Sequence, residues 1–295
     1  MGDAPEFHLF LPQMRLSPDG LVDRARAAEA AGFAGLALMD HLAPPQAEDR
    51  PMFEAMTMAT WLAARTERLT IGHLVLCDSF RHPAVLARQA VTLDHLSGGR
   101  YELALGSGST PAELRTFGVS EAKGPERAAR LRETLDVVTQ LWTGEPVTFE
   151  GRFHQMTAAR QWPTPTRPIP VVIGGTGPAT LQVVRDHATW WNLPAHHIDR
   201  LEACRPLIGA ARVSLQQLVT FVPAGTDRAE IVELADRRFG WMGHTGRAVG
   251  GGDELVASFE AYRRQGVERF YLWFTDFAHP DTLGAFGAEV IARLA

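Results

Sequence analysis

Short apolar runs alternate along the chain with longer segments in which apolar residues recur every three to four positions. The runs at 7–11, 33–39, 69–76 and 101–106 have the length and content of strands buried on both faces. Between them the period is helical. Ser17-Pro18-Asp19 offers an N-cap, a proline at the first helical position and a first-turn acid, and Gly32 stops the helix. Residues 53–66 set Met56, Ala59 and Ala63 on one face. Leu86, Ala90 and Leu93 form the stripe of a helix that starts near Pro83 and ends at Gly98.

The second half repeats the theme. Strands are predicted at 169–175, 189–194, 214–224 and 269–274, and helices at 126–143, 178–188, 227–239, 253–265 and 280–294. Residues 146–156 predict a hairpin turning at Glu150-Gly151. Strands alternating with helices imply a parallel sheet covered by helices. Eight such units without a break in composition predict a closed (β/α)8 TIM barrel, a single domain over residues 1–295 with an insertion loop around 144–168. A dinucleotide-binding open sheet fits less well. Neither "GSGSTP" nor "GGTGPAT" completes G-x-G-x-x-G, and neither follows the first strand.

Composition adds exclusions. The 295 residues are 45% hydrophobic and 21% charged, an ordinary globular balance, and the net charge of -5 suggests no nucleic-acid partner. No apolar run approaches the ~18 residues of a membrane span. Two cysteines, Cys77 and Cys204, build no disulfide framework, and the first residues lack the basic and apolar regions of a signal peptide. A cytoplasmic enzyme is the expectation.

In such a barrel the chemistry gathers where strands end. Asp40 and His41 end the second apolar run. An imidazole there can exchange a proton near neutral pH, and a carboxylate beside it can accept hydrogen bonds; the alternative is a helix cap beside a surface histidine. Gly174, Gly175 and Gly177 lie between a strand and a helix start, where backbone N–H groups suit a phosphate, although a tight turn needs the same small residues. Ser107, Gly108 and Ser109 form a similar loop after the fourth strand. Gln13, Cys77-Asp78, Asn192 and Thr275-Asp276 end other runs. Trp191 and Trp241 fall near strand ends or loops and could wall an aromatic pocket. No metal site is expected: His8 stands alone near the start of the first strand, and His196-His197 are adjacent and point apart.

Five stretches carry a resemblance: "AEAAGFAGLALMDH", "RHPAVLARQAVTLDHLSGGRYELALGSG", "LWTGEPVTFEGRF", "PIPVVIGGTGP" and "AYRRQGVERFYLWF". In this order the chain resembles the bacterial luciferase-like superfamily, in its coenzyme F420-dependent oxidoreductase branch, over nearly its whole length. The resemblance implies a flavin-like ring at the barrel mouth, contacted by Asp40, with His41 as proton donor or acceptor. It implies a non-proline cis peptide between Leu74 and Val75 behind the ring. It makes Cys77, Ser107 and Gly108 cofactor contacts, and sets Gly174, Gly175, Thr176, Gly177, Ala179 and Thr180 near the phosphate side.

Departures shape the substrate expectation. Ser109 stands where sugar-phosphate dehydrogenases of this branch carry a glutamate, with Glu113 one turn away. His197 stands where they use a lysine, and Gln13 where a glutamate is typical. These positions and Trp191 are the expected substrate pocket. It is less charged than a sugar-phosphate site and suits a carbonyl, imine or enone. The expected reaction is hydride transfer between coenzyme F420 and a small organic molecule. The alternatives are an FMN-dependent monooxygenase and a flavin-binding barrel without turnover. Relatives in this superfamily are commonly homodimers.

Overall fold

The computed structural model describes residues 4–45, 47 and 50–295. The first strands are β1 (Glu6–Phe10), β2 (Gly35–Leu38), β3 (Thr70–His73), β4 (Leu76–Cys77) and β5 (Leu103–Gly106). An antiparallel hairpin, β6 (Val147–Glu150) and β7 (Gln155–Ala159), follows outside the main sheet. Then come β8 (Val171–Gly174), β9 (Trp190–Pro194), β10 (Arg212–Phe221), β11 (Arg247–Gly250) and β12 (Arg269–Phe274). The covering helices are α1 (Pro18–Ala30), α2 (Ala55–Ala63), α3 (Pro83–Leu96), α4 (Pro111–Thr116), α5 (Gly124–Leu141), α6 (Pro178–His187), α7 (Leu201–Cys204), α8 (Arg228–Phe239), α9 (Gly252–Arg264) and α10 (Pro280–Phe286).

The parallel strands run in the order β3-β2-β1-β12-β10-β9-β8-β5-β4. Ile71 of β3 bridges Tyr101, just ahead of β5, while Leu76 and Cys77 of β4 pair with Leu105 and Gly106. Thus β3 and β4 are two pieces of one barrel stave, and the sheet closes as a (β/α)8 barrel. The expected single strand at 69–76 is divided by a cis peptide between Leu74 and Val75.

Local chemistry sets the helix starts. The Ser17 side chain accepts from Gly20 N–H at the head of α1, with Pro18 in the first turn. Glu54 accepts from Met56 and Thr57 N–H at the head of α2. His82 and His279, each followed by proline, cap α3 and α10 through their rings.

Two expectations need correction, and one element was not foreseen. No full helix follows the sixth barrel strand; two tight helical turns and the four-residue α7 span 195–207 instead. The segment 247–250 forms β11 along the end of β10, too short for its alternation to be recognised. The last helix is interrupted by a π-helical turn at Gly287–Ile291.

Two cores result. One lies between the staves and the helices, with Leu9, Leu36, Leu62, Leu86 and Phe270 fully shielded. The other fills the barrel. At its N-terminal floor Arg269 donates to Glu102 at 2.8 and 3.0 Å and to Glu6 at 2.7 Å, while Tyr271 hydroxyl donates to Glu102 at 2.9 Å. Trp190 stacks on the guanidinium at 3.9 Å. Burial works against the Glu6 charge, yet His8 and Arg269 hold its carboxyl down to about 2. An apolar layer of Phe10, Ala37, Leu74, Leu218 and Trp273 lies within the barrel as well.

Candidate active site

The C-terminal ends of the staves open onto a cavity of about 490 Å³. Its geometry begins at the end of β2. Gln13 is fully buried, and its side-chain amide brackets Met39: Nε2 donates to Met39 O at 2.6 Å and Oε1 accepts from Met39 N–H at 3.2 Å. This anchors the backbone just before Asp40.

Asp40 lines the cavity and is 7% exposed. Both its oxygens are already engaged. Arg81 donates to Oδ2 at 2.5 Å and to Oδ1 at 3.0 Å, and Cys77 N–H donates to Oδ2 at 2.7 Å. Arg81 reaches on to Glu54 at 2.7 Å, the residue that caps α2. Burial disfavours the Arg81 charge, but Asp40 and Glu54 hold its pKa above the ordinary arginine value. The Asp40 carboxylate is therefore a tie between β2, β4 and α2. Arg81 escaped the sequence reading because its partner lies 41 residues away.

His41 stands beside it with a different environment. Its Nδ1 lies 2.8 Å from Glu113 Oε2, and the other Glu113 oxygen accepts from Leu42 N–H at 2.6 Å and Ala43 N–H at 3.2 Å. Glu113, on α4, thus fixes the loop and the ring together. A carboxylate on Nδ1 selects the tautomer with its proton there, which leaves Nε2 as the atom able to exchange a proton. Both residues line the cavity.

Two loops of small residues line the cavity as well. Gly106, Ser107, Gly108 and Ser109 continue β5, and Gly174, Gly175, Thr176, Gly177 and Thr180 join β8 to α6; all of them line the cavity. Arg127 donates to Ser107 O at 2.9 Å, and Arg200 donates to Thr176 O at 3.2 Å, so both loops are fastened from outside. Leu74 and Val75 form part of the lining. A Cβ on Gly106 would lie 2.6 Å from Val75 Cγ2, so only glycine admits that side chain. Cys77 also lines the cavity, but burial pushes its thiol up to about 11, which keeps it protonated at neutral pH.

Four expected site residues do not line the cavity. Gln13 acts through Met39, as above. Ala179 is exposed on the first turn of α6. His197 packs against His196 with ring centroids 4.3 Å apart and planes tilted by 54°, and is not among the lining residues. Trp191 is fully buried on the helix side of β9, its indole N–H donating to Gly175 O at 2.8 Å. Alternation along β9 turns its neighbours inward instead: Trp190 packs with Ala104 and Val172 inside the barrel, and Asn192 lines the cavity. Phe10, Met39 and Trp273 also line the cavity and carried no polar signal that would have marked them; Gln216, though polar, lies within a strand and not at its end. Among the described residues, no group of three or more His, Cys, Asp or Glu could hold a metal ion.

A sequence profile of the luciferase-like monooxygenase family matches residues 5–269. The chain belongs to this family. Among curated relatives of this luciferase-like chain is a protein of Nakamurella multipartita named F420-dependent glucose-6-phosphate dehydrogenase. It is 35% identical over 236 residues, 76% of this chain and 69% of that protein. A protein of the same name from Microbacterium testaceum is 36% identical over 170 residues, 57% of this chain and only 50% of that protein. The chain thus spans half to about two thirds of these relatives. Among solved structures, an F420-dependent secondary alcohol dehydrogenase bound to an F420-acetone adduct superposes with a TM-score of 0.84. That match covers 98% of each chain at 18% identity, and so speaks to the luciferase-like fold.

Proposed function

We propose that this protein is a coenzyme F420-dependent oxidoreductase that passes a hydride between the deazaflavin and a small carbonyl, imine or enone, with His41 exchanging the accompanying proton. One observation carries the reading. A histidine with its Nδ1 held by Glu113 shares a cavity with two glycine-rich loops, one of which opens α6. Leu74, Val75, Cys77, Ser107 and Gly108 line the side proposed for the ring, and Gly106 leaves no room for a Cβ beside Val75. Gly174 to Gly177, with Thr180, would hold the phosphate side by backbone N–H groups at the helix N-terminus.

When bound, the deazaflavin supplies hydride chemistry at a carbon and no oxygen activation. The protein's own work is positional. Glu113 keeps Nδ1 of His41 occupied, so Nε2 is the proton-exchanging atom. The Arg81 tie leaves Asp40 as a fixed charge at the mouth. Ser109 lines the cavity where sugar-phosphate dehydrogenases of this branch carry a glutamate, and no lysine or arginine stands among the described lining residues, which favours an uncharged substrate. The same reading makes the chain one catalytic unit, cytoplasmic and homodimeric. Two free, buried cysteines are compatible with a reducing setting.

Coenzyme F420 and FMN titrated separately against the protein, followed by their own fluorescence, test the cofactor. Tighter binding of the deazaflavin is expected, and tight FMN with weak F420 would overturn the assignment. His41→Ala should lower kcat about 10²–10⁴-fold while leaving the F420 dissociation constant within about threefold. An unchanged kcat removes His41 from the proton transfer.

A further inference from the structure

Two neighbouring staves, β9 and β10, carry a polar patch inside the barrel. Asn192 pairs in register with Ser214, and Pro194 with Gln216. Alternation turns all four inward: Asn192, Pro194 and Gln216 line the cavity, and Ser214 lies fully buried beneath them. Asn192 is 4% exposed. Ser214 Oγ stands 3.3 Å from Asn192 Oδ1 and 3.2 Å from Trp191 O, so one end of the Asn192 carboxamide is held. Its other end, and both ends of the Gln216 carboxamide, have no hydrogen-bond partner among the described residues.

Gln13, the other carboxamide at this end of the barrel, commits both its ends to Met39. A carboxamide offers two N–H donors and a carbonyl acceptor, and keeping them unpaired away from water is costly. The inward positions beside the patch are apolar: Leu218 follows Gln216 on β10, and Trp273 and Phe10 belong to the same layer. Two carboxamides with open valences on adjacent staves therefore mark a place where a ligand supplies the partners. They carry no charge, so the complementary group is uncharged and sets carbonyls beside an N–H, as a cyclic imide does.

Position favours the coenzyme ring as the source of that group. Asn192 pairs with Gly174, and a Cβ on Gly174 would lie 3.8 Å from Val75 Cγ1, so the patch adjoins the side proposed for the ring. Both carboxamides stand on strands. His41, Glu113 and Trp241 line the cavity from beyond the strand ends, Trp241 from the turn Gly240–Met242. A substrate entering from the mouth meets these first. We infer that Asn192 and Gln216 hold the coenzyme ring by its cyclic-imide edge, two carbonyls flanking one N–H. This rests on the hydride-transfer reading above.

The test compares coenzyme F420 with F420 methylated at the imide nitrogen, each titrated by its own fluorescence. In the parent protein the methyl group should raise the dissociation constant about tenfold. Gln216→Leu and Asn192→Leu should each raise the constant for unmodified F420 about fivefold, and the double variant should bind the two forms within about twofold of each other. Thermal unfolding of ligand-free Gln216→Leu should match or exceed that of the parent protein, because no protein hydrogen bond is lost; a role in the fold alone would lower it. An F420 constant unchanged in both single variants overturns the inference, and tight binding then leaves the hydride-transfer reading standing. So does a double variant that still rejects the methylated form. FMN carries the same imide edge. If FMN binds tightly and F420 weakly, the F420 assignment falls, and the same comparison made with FMN and its methylated form decides the inference separately. No binding of either coenzyme sinks both.

Discussion

The two ends of this barrel hold carboxylates in opposite ways. At the floor, Glu102 is 2% exposed and both its oxygens are bonded to Arg269, with Tyr271 donating to one of them. At the mouth, Glu113 bonds a loop backbone with one oxygen and His41 with the other, and the ring faces a cavity. The floor is a closed network in which every charge has a protein partner. Removing one buried member alone should cost stability, because an orphaned buried charge has no water to fall back on. The mouth ends in a group whose remaining valence is left for something that is not protein. Barrel enzymes divide their ends in this way, stability below and chemistry above, and here the division is visible in two glutamates.

Breaking the floor should give the largest effect. Arg269→Ala leaves Glu6 and Glu102 without their cation and should cost about 3–5 kcal/mol, a fall in Tm of about 10 °C in thermal unfolding. A Tm near that of the parent protein would mean that the floor is solvated.

Acid is the next lever. His73 is 1% exposed, and burial lowers its pKa from 6.5 to about 4, with Arg81 acting in the same direction. His8 is lowered by burial as well. A folded pKa below the unfolded one means that the unfolded chain binds the proton first, so stability falls as pH drops from about 6.5 to about 4. His73 alone contributes about 3 kcal/mol to that loss. Below this window Glu6, with its pKa near 2, adds a further loss as the unfolded carboxylates protonate. Urea midpoints read at pH 7, 5.5 and 4.5 check the slope, and His73→Asn should flatten it.

The smallest change sharpens the comparison most. Glu113→Gln keeps shape and removes charge. It should lower kcat about tenfold with Tm almost unchanged. Glu102→Gln, the same chemical change at the floor, should do the reverse, lowering Tm and sparing kcat in the protein that remains folded. If both variants lose stability alike, the two ends do not differ as described.

The barrel was legible because its staves are buried on both faces and show as continuous apolar runs, and because prolines and capping residues mark the helix starts. Asp40, His41 and the glycine loops were legible as polar or glycine positions where such runs stop. What escaped has two physical causes. Ion pairs join distant segments: Arg269 meets Glu6 across 263 positions, and nothing local marks either as paired. Register within a short strand is also undetermined by composition. One position decided that Trp190 faces the barrel interior and Trp191 the helices, and neither lines the cavity that Trp191 was expected to wall. β11, four residues long, lies below the length at which alternation can be recognised.

Glu54 joins matters that are usually separate. One of its oxygens accepts from Met56 N–H and from Arg81, and the other from Thr57 N–H. The end of α2 and the aspartate at the mouth therefore hang on a single side chain that is half exposed to solvent. When the first turn of α2 frays, Arg81 loses one of its two anchors, and Asp40 is then held by a looser arm. Any opening of that helix end would thus reach the entrance of the cavity through two salt links.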